Sequence, residues 1–292
     1  MNPDMRRVAI LLMISSSVVI SFSGLIVRVL DAPPLTMNFY RALFLTCAVV
    51  ILLFVRYRRA ALVRVVGVGR PGIVAGAMLA GAAITFLQSM THTTVANTLF
   101  VLAGIPFMTA GLAWIFLKER PNRATFIAMI VAFIGILIMI GEGFTVGSAY
   151  GNVMALLTTV FFSVYAVILR SNRQTDMWPA ILISTIIIMI FVAVMQRGEL
   201  AISRHDLFLC MIWGGLMSGF TSASFIVASR HIVAAELTIF MLLEFALGPV
   251  WVWLFVNEIP SRWTLTGGVL VIAAVLGRSF LEFKTGRAGP SV

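Results

Sequence analysis

Residues 117–125 read LKERPNRAT, and 139 positions later residues 256–264 read VNEIPSRWT. The two stretches share a glutamate, a proline, an arginine and a threonine in the same relative places. Matches continue along the chain at this offset, and near the N-terminus at an offset of 142: Gly76 with Gly215, Phe86 with Phe225, His92 with His231, Ala96 with Ala235, Trp114 with Trp253, Phe116 with Phe255, and Ser21, Ile26 and Arg28 with Ser163, Ile168 and Arg170. Similarity that keeps its register over this length indicates an internal repeat.

The composition is that of a chain covered by lipid. Hydrophobic residues form 61% of the 292, charged residues only 11%, and the mean hydropathy is +1.06. A soluble protein carries about 25% charged residues. The formal charge of +10 lies in short connectors between apolar runs, which is the membrane pattern, so no nucleic-acid partner is expected. Cys47 and Cys210 lie singly inside apolar runs, which indicates neither a disulfide framework nor a metal site.

The apolar runs are long enough to cross a bilayer as helices. Strands of a membrane barrel would alternate apolar and polar residues, and these runs do not alternate. The fold class we predict is therefore an all-α integral membrane protein with ten transmembrane helices. The predicted spans are 8–29, 35–55, 72–90, 95–117, 124–140, 152–169, 179–195, 207–229, 234–256 and 263–280.

Basic residues in the connectors predict the orientation. With the N-terminus in the cytoplasm, 16 of the 21 Lys and Arg residues fall in cytoplasmic connectors and 4 in the opposite ones. Cytoplasmic loops carry this excess in membrane proteins. We therefore expect both termini in the cytoplasm.

The repeat divides the ten spans into two halves of five, residues 1–145 and 146–292 of a single membrane domain. Because five is an odd number, the second half must cross the bilayer in the opposite sense. Inverted repeats of this kind build alternating-access carriers, whose substrate site lies near the midplane between the halves.

Ten helices in two inverted halves, each with an E-x-P connector (119–121 and 258–260) before its fifth helix, resemble the EamA-type drug/metabolite transporter superfamily. The resemblance covers essentially the whole chain and is greatest to bacterial inner-membrane exporters of aromatic and other amino acids. It implies a multi-pass protein of the bacterial inner membrane whose partners are a small-molecule substrate and the lipid bilayer. No cofactor is expected, and the chain is compatible with a monomer.

Two charged residues inside predicted spans are candidates for substrate binding. Glu244 lies in FMLLEFALGPVW (240–251), near the centre of the ninth span, where a charge costs roughly 2.5–3.5 kcal/mol. It should therefore face a cavity or a partner, or carry a proton. Arg41 lies in the second span, about 6 Å along the helix axis from its midpoint. One hypothesis is that Arg41 binds a substrate carboxylate and Glu244 an ammonium group; the alternative is that the two pair and hold helices together.

Polar and aromatic side chains inside other spans complete the predicted site. Amides would hydrogen-bond a substrate, and aromatic rings would contact its apolar or cationic parts. Each of these side chains has the alternative role of binding a neighbouring helix. The candidates are Asn38, Tyr40, Gln88, Asn97, Phe161, Tyr165 and Trp213.

Three further features of the ninth span and the connectors have structural interpretations. Glu119 and Glu258 precede prolines that start the next helix, where a carboxylate suits the positive helix end. Gly248-Pro249 is expected to break the ninth helix locally. Trp251, nearer the end of its span, is expected to lie in an interfacial aromatic belt.

The function we predict is a secondary transporter that exports amino acids, aromatic and others, or similar small metabolites by alternating access. A carrier for drugs, polyamines or nucleotide-type metabolites is the alternative within transport. A lipid flippase or a non-transporting scaffold is a further alternative. An intramembrane enzyme is not expected, because paired acids, clustered histidines or a nucleophile with its base are missing from the spans. ATP-driven transport is not expected either, because the chain has no GxxxxGK[ST] loop.

Overall fold

A computed structural model gives the fold for residues 3–58, 67–118, 123–146, 149–172, 175, 177–228 and 234–285. Regular secondary structure in these ranges is entirely helical. Thirteen α-helices and one π-helix follow one another: α1 Pro3–Ser21, α2 Ser23–Val29, α3 Pro34–Tyr57, α4 Gly69–His92, α5 Val95–Leu102, α6 Ile105–Leu117, α7 Arg123–Val146, α8 Ala149–Ser171, α9 Trp178–Met195, α10 Arg204–Cys210, the π-helix Met211–Ser218, α11 Gly219–Ala228, α12 Ala234–Val256 and α13 Arg262–Thr285.

The helices confirm a multi-pass membrane protein. Among the described residues, seven segments are long and apolar enough to cross a bilayer, and three shorter helical segments are also apolar. The seven are Arg7–Val29, Pro34–Val55, Gly69–His92, Val95–Leu117, Ala149–Leu169, Trp178–Met195 and Arg204–Phe225. The shorter ones are Phe126–Ile138, Leu243–Val256 and Arg262–Ala274.

Contacts between helices close a ring. In order around it, α3 packs on the π-helix, α11 on α1, α1 and α2 on α12, α12 on α5, α5 and α6 on α8, α8 on α4, α4 on α9, and α9 back on α3. The π-helix continues α10 and leads into α11, so these three elements occupy one place in the ring. Helices α7 and α13 pack on each other outside it and contact α5. The ring therefore has an interior that eight helical segments surround.

Helix α2 also crosses the ring. It contacts α4, which occupies the directly opposite place. The places of α8 and α11 are also opposite each other, yet between described residues these two helices form no comparable interface. The ring is thus bridged at the end where α2 lies.

Two predicted spans are interrupted. The first is interrupted at Phe22, between α1 and α2, and the fourth at Ala103–Gly104, between α5 and α6. In the fourth, Pro106 lies in the first turn of α6 and has no N–H to continue the hydrogen bonds of α5. The sequence analysis predicted neither interruption.

The break predicted at Gly248-Pro249 was wrong. Helix α12 runs without interruption through Pro249. Gly248 instead allows α12 to approach its neighbours, because a Cβ there would collide with the side chain of Leu99 on α5 and lie 3.6 Å from the carbonyl of Ser21. A proline in a membrane helix is tolerated where neighbouring helices cover the freed backbone groups.

The π-helix in the eighth span was also unpredicted. The side-chain hydroxyl of Ser218 donates a hydrogen bond to the carbonyl of Trp213, five residues earlier, at 2.8 Å. Gly214 lies directly against the carbonyl of Arg41 on α3, where any side chain would collide. Short π-helical segments are frequent at functional sites, and this one carries Trp213.

Candidate functional site

Arg41 and Trp213 form the centre of the candidate site. The guanidinium carbon of Arg41, on α3, lies 4.9 Å from the centre of the Trp213 ring. Such a cation–π contact stabilises a desolvated cation without using its hydrogen-bond donors. The Nε of Arg41 is buried and has no hydrogen-bond partner. The arrangement leaves this guanidinium available to an anionic group such as a carboxylate.

Asn38 lies one turn from Arg41 on α3 and is 1% exposed. Its Nδ2 donates to the carbonyl of Ala83 on α4 at 3.2 Å, whereas its Oδ1 is buried without a partner. Buried polar atoms nearly always have partners in proteins. Helix α3 therefore presents a donor and an acceptor, one turn apart, to which the described part of the chain supplies no partner.

Glu244 lies half-buried on α12. Within the described residues, its carboxylate has no hydrogen bond or ion pair, and in particular none to Arg41. The alternative in which the two charges pair with each other is therefore not the arrangement seen. Glu244 shares one face of α12 with Gly248 and Trp251, at helical spacings of four and seven residues.

Two indole groups meet the first span on either side of its interruption at Phe22. The Nε1 of Trp213 donates to Ser23 Oγ at 3.1 Å, and the Nε1 of Trp251 donates to Ser21 Oγ at 2.8 Å. The ring of Phe22 stacks on Trp251 with centroids 4.6 Å apart. Trp251 is thus half-buried and bonded within the protein; its place in an interfacial aromatic belt stays a prediction. The sequence analysis missed Ser21, Ser23 and Trp251, although SFS (21–23) is a polar interruption of an apolar run.

The remaining predicted aromatic residues lie elsewhere in the ring. Tyr40 donates its hydroxyl hydrogen to the carbonyl of Leu200 at 2.9 Å, next to the connector after α9. Phe161 of α8 packs on Gly81 of α4, where a Cβ would lie 3.1 Å from its ring. Tyr165, one turn further along α8, tilts against Phe162. No hydrogen bond or ring contact between described residues joins these three to Arg41 or Trp213.

Asn97 pairs with a residue that the sequence analysis missed. Its Nδ2 donates to Oδ1 of Asn152, which is fully buried near the start of α8. The same Nδ2 also donates to Thr93 Oγ1 at 3.2 Å. This pair holds α5 against α8, which is the helix-binding role left open for the polar candidates. Gln88, one turn before His92, is half-buried, and its backbone carbonyl bonds to His92 Nδ1 at 2.8 Å.

Glu258 makes a contact that differs from the predicted one. Its Oε2 accepts a hydrogen bond from Nε of Arg28 at 2.6 Å, and its Oε1 accepts from the backbone N–H of Val95 at 2.6 Å. Arg28 also donates from Nη2 to the carbonyl of Thr93 at 2.7 Å. The carboxylate does sit at a positive helix end, but at that of α5 rather than that of α13. Glu119, its counterpart in the repeat, lies outside the described residues.

Comparison with known proteins identifies part of the chain. The EamA-like transporter family matches residues 7–141. We call these residues the EamA-like region. The predicted resemblance is thereby confirmed for this part of the chain. Five of the predicted site residues lie within the EamA-like region: Asn38, Tyr40, Arg41, Gln88 and Asn97.

Similarity to individual relatives extends beyond the EamA-like region. "Pseudopaline exporter CntI" of Pseudomonas aeruginosa, in two strains, is 26% identical over 291 residues, covering 94% of this chain and 97% of that protein. A solved crystal structure covers 94% of this chain and 98% of its own, with a TM-score of 0.65 and 15% identity. At that identity the likeness shows a shared fold alone.

The described residues contain no group of three or more His, Cys, Asp or Glu side chains arranged to hold a metal ion. Cys47 and Cys210 are both free thiols.

Proposed function

We propose that this protein is a ten-helix secondary transporter of the bacterial inner membrane that exports amino acids or similar small metabolites by alternating access. The observation that carries the proposal is the pair of unpartnered groups on α3, Arg41 Nε and Asn38 Oδ1, beside the Trp213 ring. The match of residues 7–141 to a transporter family supports transport rather than catalysis.

The contacts between helices support two inverted five-helix repeats, residues 1–145 and 146–292. Exchanging each span with its counterpart five spans later turns every interface of the ring into an interface of the ring, and turns the α3–α9 and α5–α12 interfaces into themselves. Thr46 and Thr185, which are 139 positions apart, hydrogen-bond to each other at 2.7 Å across the α3–α9 interface. The EamA-like match also ends at residue 141, close to the proposed boundary. Ten spans follow if the three shorter apolar helices cross the membrane too.

The substrate that fits these groups carries a carboxylate and an amino group. The guanidinium of Arg41 would bind the carboxylate through parallel N–H donors, in the geometry that favours arginine at such sites. Asn38 Oδ1 accepts a hydrogen bond from an ammonium group one turn away, and Glu244 supplies a negative charge from α12. The faces of Trp213, Phe161 and Tyr165 would contact an apolar or aromatic side chain.

The proposed direction of transport follows from orientation and relatives. The excess of Lys and Arg in the even-numbered connectors and at both ends of the chain supports cytoplasmic termini. The two relatives similar over 94% of the chain are exporters. Export of small metabolites is therefore favoured over uptake.

The test is transport by the purified protein in liposomes. Liposomes loaded with labelled aromatic and aliphatic amino acids are diluted into unlabelled medium, and exchange is followed for the native protein and for Arg41→Gln, Asn38→Leu and Glu244→Gln. Arg197→Gln is the matched control, because Arg197 is exposed on the connector after α9. We expect native exchange, loss of about tenfold or more in Arg41→Gln, and no loss in the control.

Exchange that is equal in the native protein and Arg41→Gln would refute the proposed site. No exchange of any amino acid by the native protein would refute the amino-acid substrate. Pseudopaline is then the second candidate, since the relatives similar over most of the chain are named for its export, and the same assay with this compound tests it.

A further inference from the structure

The end of the ring at which α2 lies is closed by one cluster of polar contacts. Arg28 at the tip of α2, Glu258 in the connector between α12 and α13, and Thr93 with Val95 around the start of α5 meet there. We call these four residues the Arg28 latch. They connect three connectors that are distant in sequence and lie at one face of the membrane.

The latch acts across the ring rather than along it. Helices α2 and α4 occupy opposite places in the ring, and Arg28 donates to the carbonyl of Thr93, directly after α4. Side chains of Arg28 and Glu258 are 22% and 18% exposed, so water screens their ion pair only partly. Glu258 also accepts a hydrogen bond from the Val95 N–H. If Glu258 left this position, the Arg28 guanidinium would lose its ion pair and the Val95 N–H, at the start of α5, would lose its acceptor.

Helix α2 is built as a separate, short element. It has seven residues and is divided from α1 at Phe22. Gly24 lets it lie close to its neighbours, since a Cβ there would come within 2.5 Å of Val95 and 3.5 Å of Val252. Helix α2 thus contacts α4, α5 and α12. Helix α1, on the N-terminal side of Phe22, packs on α11 and α12. A rotation at Phe22 would move α2 away from the ring centre and leave α1 in place.

We infer that α2 is the gate of the transport pathway at this face of the membrane, hinged at Phe22 and locked by the Arg28 latch. Closed, as in this structure, it bridges the ring. Opening breaks the two hydrogen bonds that Arg28 makes, to Glu258 and to the carbonyl of Thr93, and exposes the inner surface of α2, which includes Val27 (3% exposed).

The gate is also connected to the candidate site. Ser23, the first residue of α2, accepts its hydrogen bond from the indole of Trp213, whose ring carries Arg41. A ligand that draws the Arg41 guanidinium away from Trp213 therefore acts on the residue that holds the base of α2. Both this connection and the gate of a transport pathway rest on the proposed function, whereas the opening of α2 can be measured without it.

The gate can be tested without any substrate. The chain has two cysteines, so Cys47→Ser with Cys210→Ser gives a background in which Val27→Cys is the single thiol. The rate of its reaction with a membrane-impermeant maleimide reports opening. We expect slow labelling in the native latch and labelling about tenfold faster in Glu258→Gln or Arg28→Gln, as the loss of a charge-assisted hydrogen bond implies.

Two controls separate gating from other effects. Glu199→Gln removes an exposed carboxylate from another connector and should leave the labelling rate unchanged. Val49→Cys, fully buried on α3, should stay unlabelled in every latch variant. The double variant Arg28→Gln/Glu258→Gln should label no faster than about twice the rate of either single variant, because both remove the same contact.

Equal labelling of Val27→Cys with and without Glu258 would overturn the gate. So would a parallel rise at Val49→Cys, which indicates general unfolding instead of opening. If labelling behaves as expected while liposomes exchange no metabolite, the opening of α2 stands and the proposed function fails. If exchange occurs but labelling does not respond, the proposed function stands and the gate fails.

Discussion

Trp213 holds two groups with two different parts of one side chain. The face of its ring lies under the Arg41 guanidinium, and its indole N–H bonds to Ser23. The residue is 1% exposed, so neither contact competes with water. Because the ring face and the N–H are chemically independent, a substitution can remove one and keep the other. Binding at Arg41 and movement of α2 can therefore be separated experimentally.

Trp213→Phe keeps an aromatic face for Arg41 and removes the donor to Ser23. We expect the half-saturation concentration for exchange to change by less than about threefold, while the maximal rate falls by about fivefold, as one lost hydrogen bond implies. Initial rates over a range of substrate concentrations in liposomes measure both. Trp263→Phe, at an exposed position on α13, is the control and should change neither. A raised half-saturation concentration with an unchanged maximal rate would contradict the connection between the site and α2.

In helix α12 a glycine and a proline follow each other without breaking the helix. The glycine instead allows a neighbouring helix to come close. Gly248 places the backbone of α12 against Leu99 of α5 and near the carbonyl of Ser21. The helix remains regular through Pro249. The close approach places Glu244 and Trp251 on the face that α12 turns towards α1 and α5.

Gly248→Ala should destabilise the protein, because its Cβ would overlap the Leu99 side chain and force the two helices apart. Overpacking of this kind costs about 1–3 kcal/mol. The midpoint of thermal unfolding in detergent should fall. Gly277→Ala on α13, with no neighbour within 4 Å, is the matched control and should leave the midpoint unchanged. Gly248→Ala combined with Leu99→Ala should unfold no earlier than Leu99→Ala alone; an earlier midpoint in the double variant would contradict this packing.

The sequence was sufficient for the helices because each apolar run is long and uniform, and lipid requires every backbone group of such a run to be bonded within it. Interruptions were not predictable in the same way. Pro106 and Pro249 are both prolines in apolar runs, yet only the first follows a break in the helix. The difference depends on what neighbouring helices cover, as Leu99 does beside Gly248.

The candidate site shows the same limit. The contact of Arg41 with Trp213 joins two residues that the sequence analysis had both selected, because each was an unusual side chain within a span. Asn152 and Trp251 were missed because their partners, Asn97 and Ser21, lie on other helices at no fixed sequence spacing. A lone polar residue in an apolar run can be found from sequence, whereas its partner requires the packing of the helices.

At the scale of the whole molecule, the two halves differ in one respect that bears on function. The interruption at Phe22 has no equivalent in α8, which is regular from Ala149 to Ser171. The contact of α2 with α4 likewise has no comparable counterpart between α8 and α11 in the described residues. The helices thus follow a two-fold pattern of contacts but adopt different local conformations at the two ends of the ring. A carrier closed at one face, as proposed, would show such an asymmetry.

Thr46 and Thr185 hydrogen-bond to each other and are 139 positions apart, so each is the counterpart of the other in the repeat. Exchanging the two halves therefore leaves this contact in place. If the proposed halves exchange conformations during a transport cycle, the α3–α9 and α5–α12 interfaces are each replaced by themselves, and every other interface of the ring is replaced by its counterpart. In such a cycle the Thr46–Thr185 contact would be a fulcrum, a point about which both halves turn without separating. Thr46→Cys/Thr185→Cys in the cysteine-free background should form a cross-link that leaves exchange within about twofold of its rate when reduced, since the contact need not break. The cross-link Arg28→Cys/Glu258→Cys, by contrast, should stop exchange until it is reduced, and a fulcrum cross-link that stopped exchange would show that the halves move in some other way.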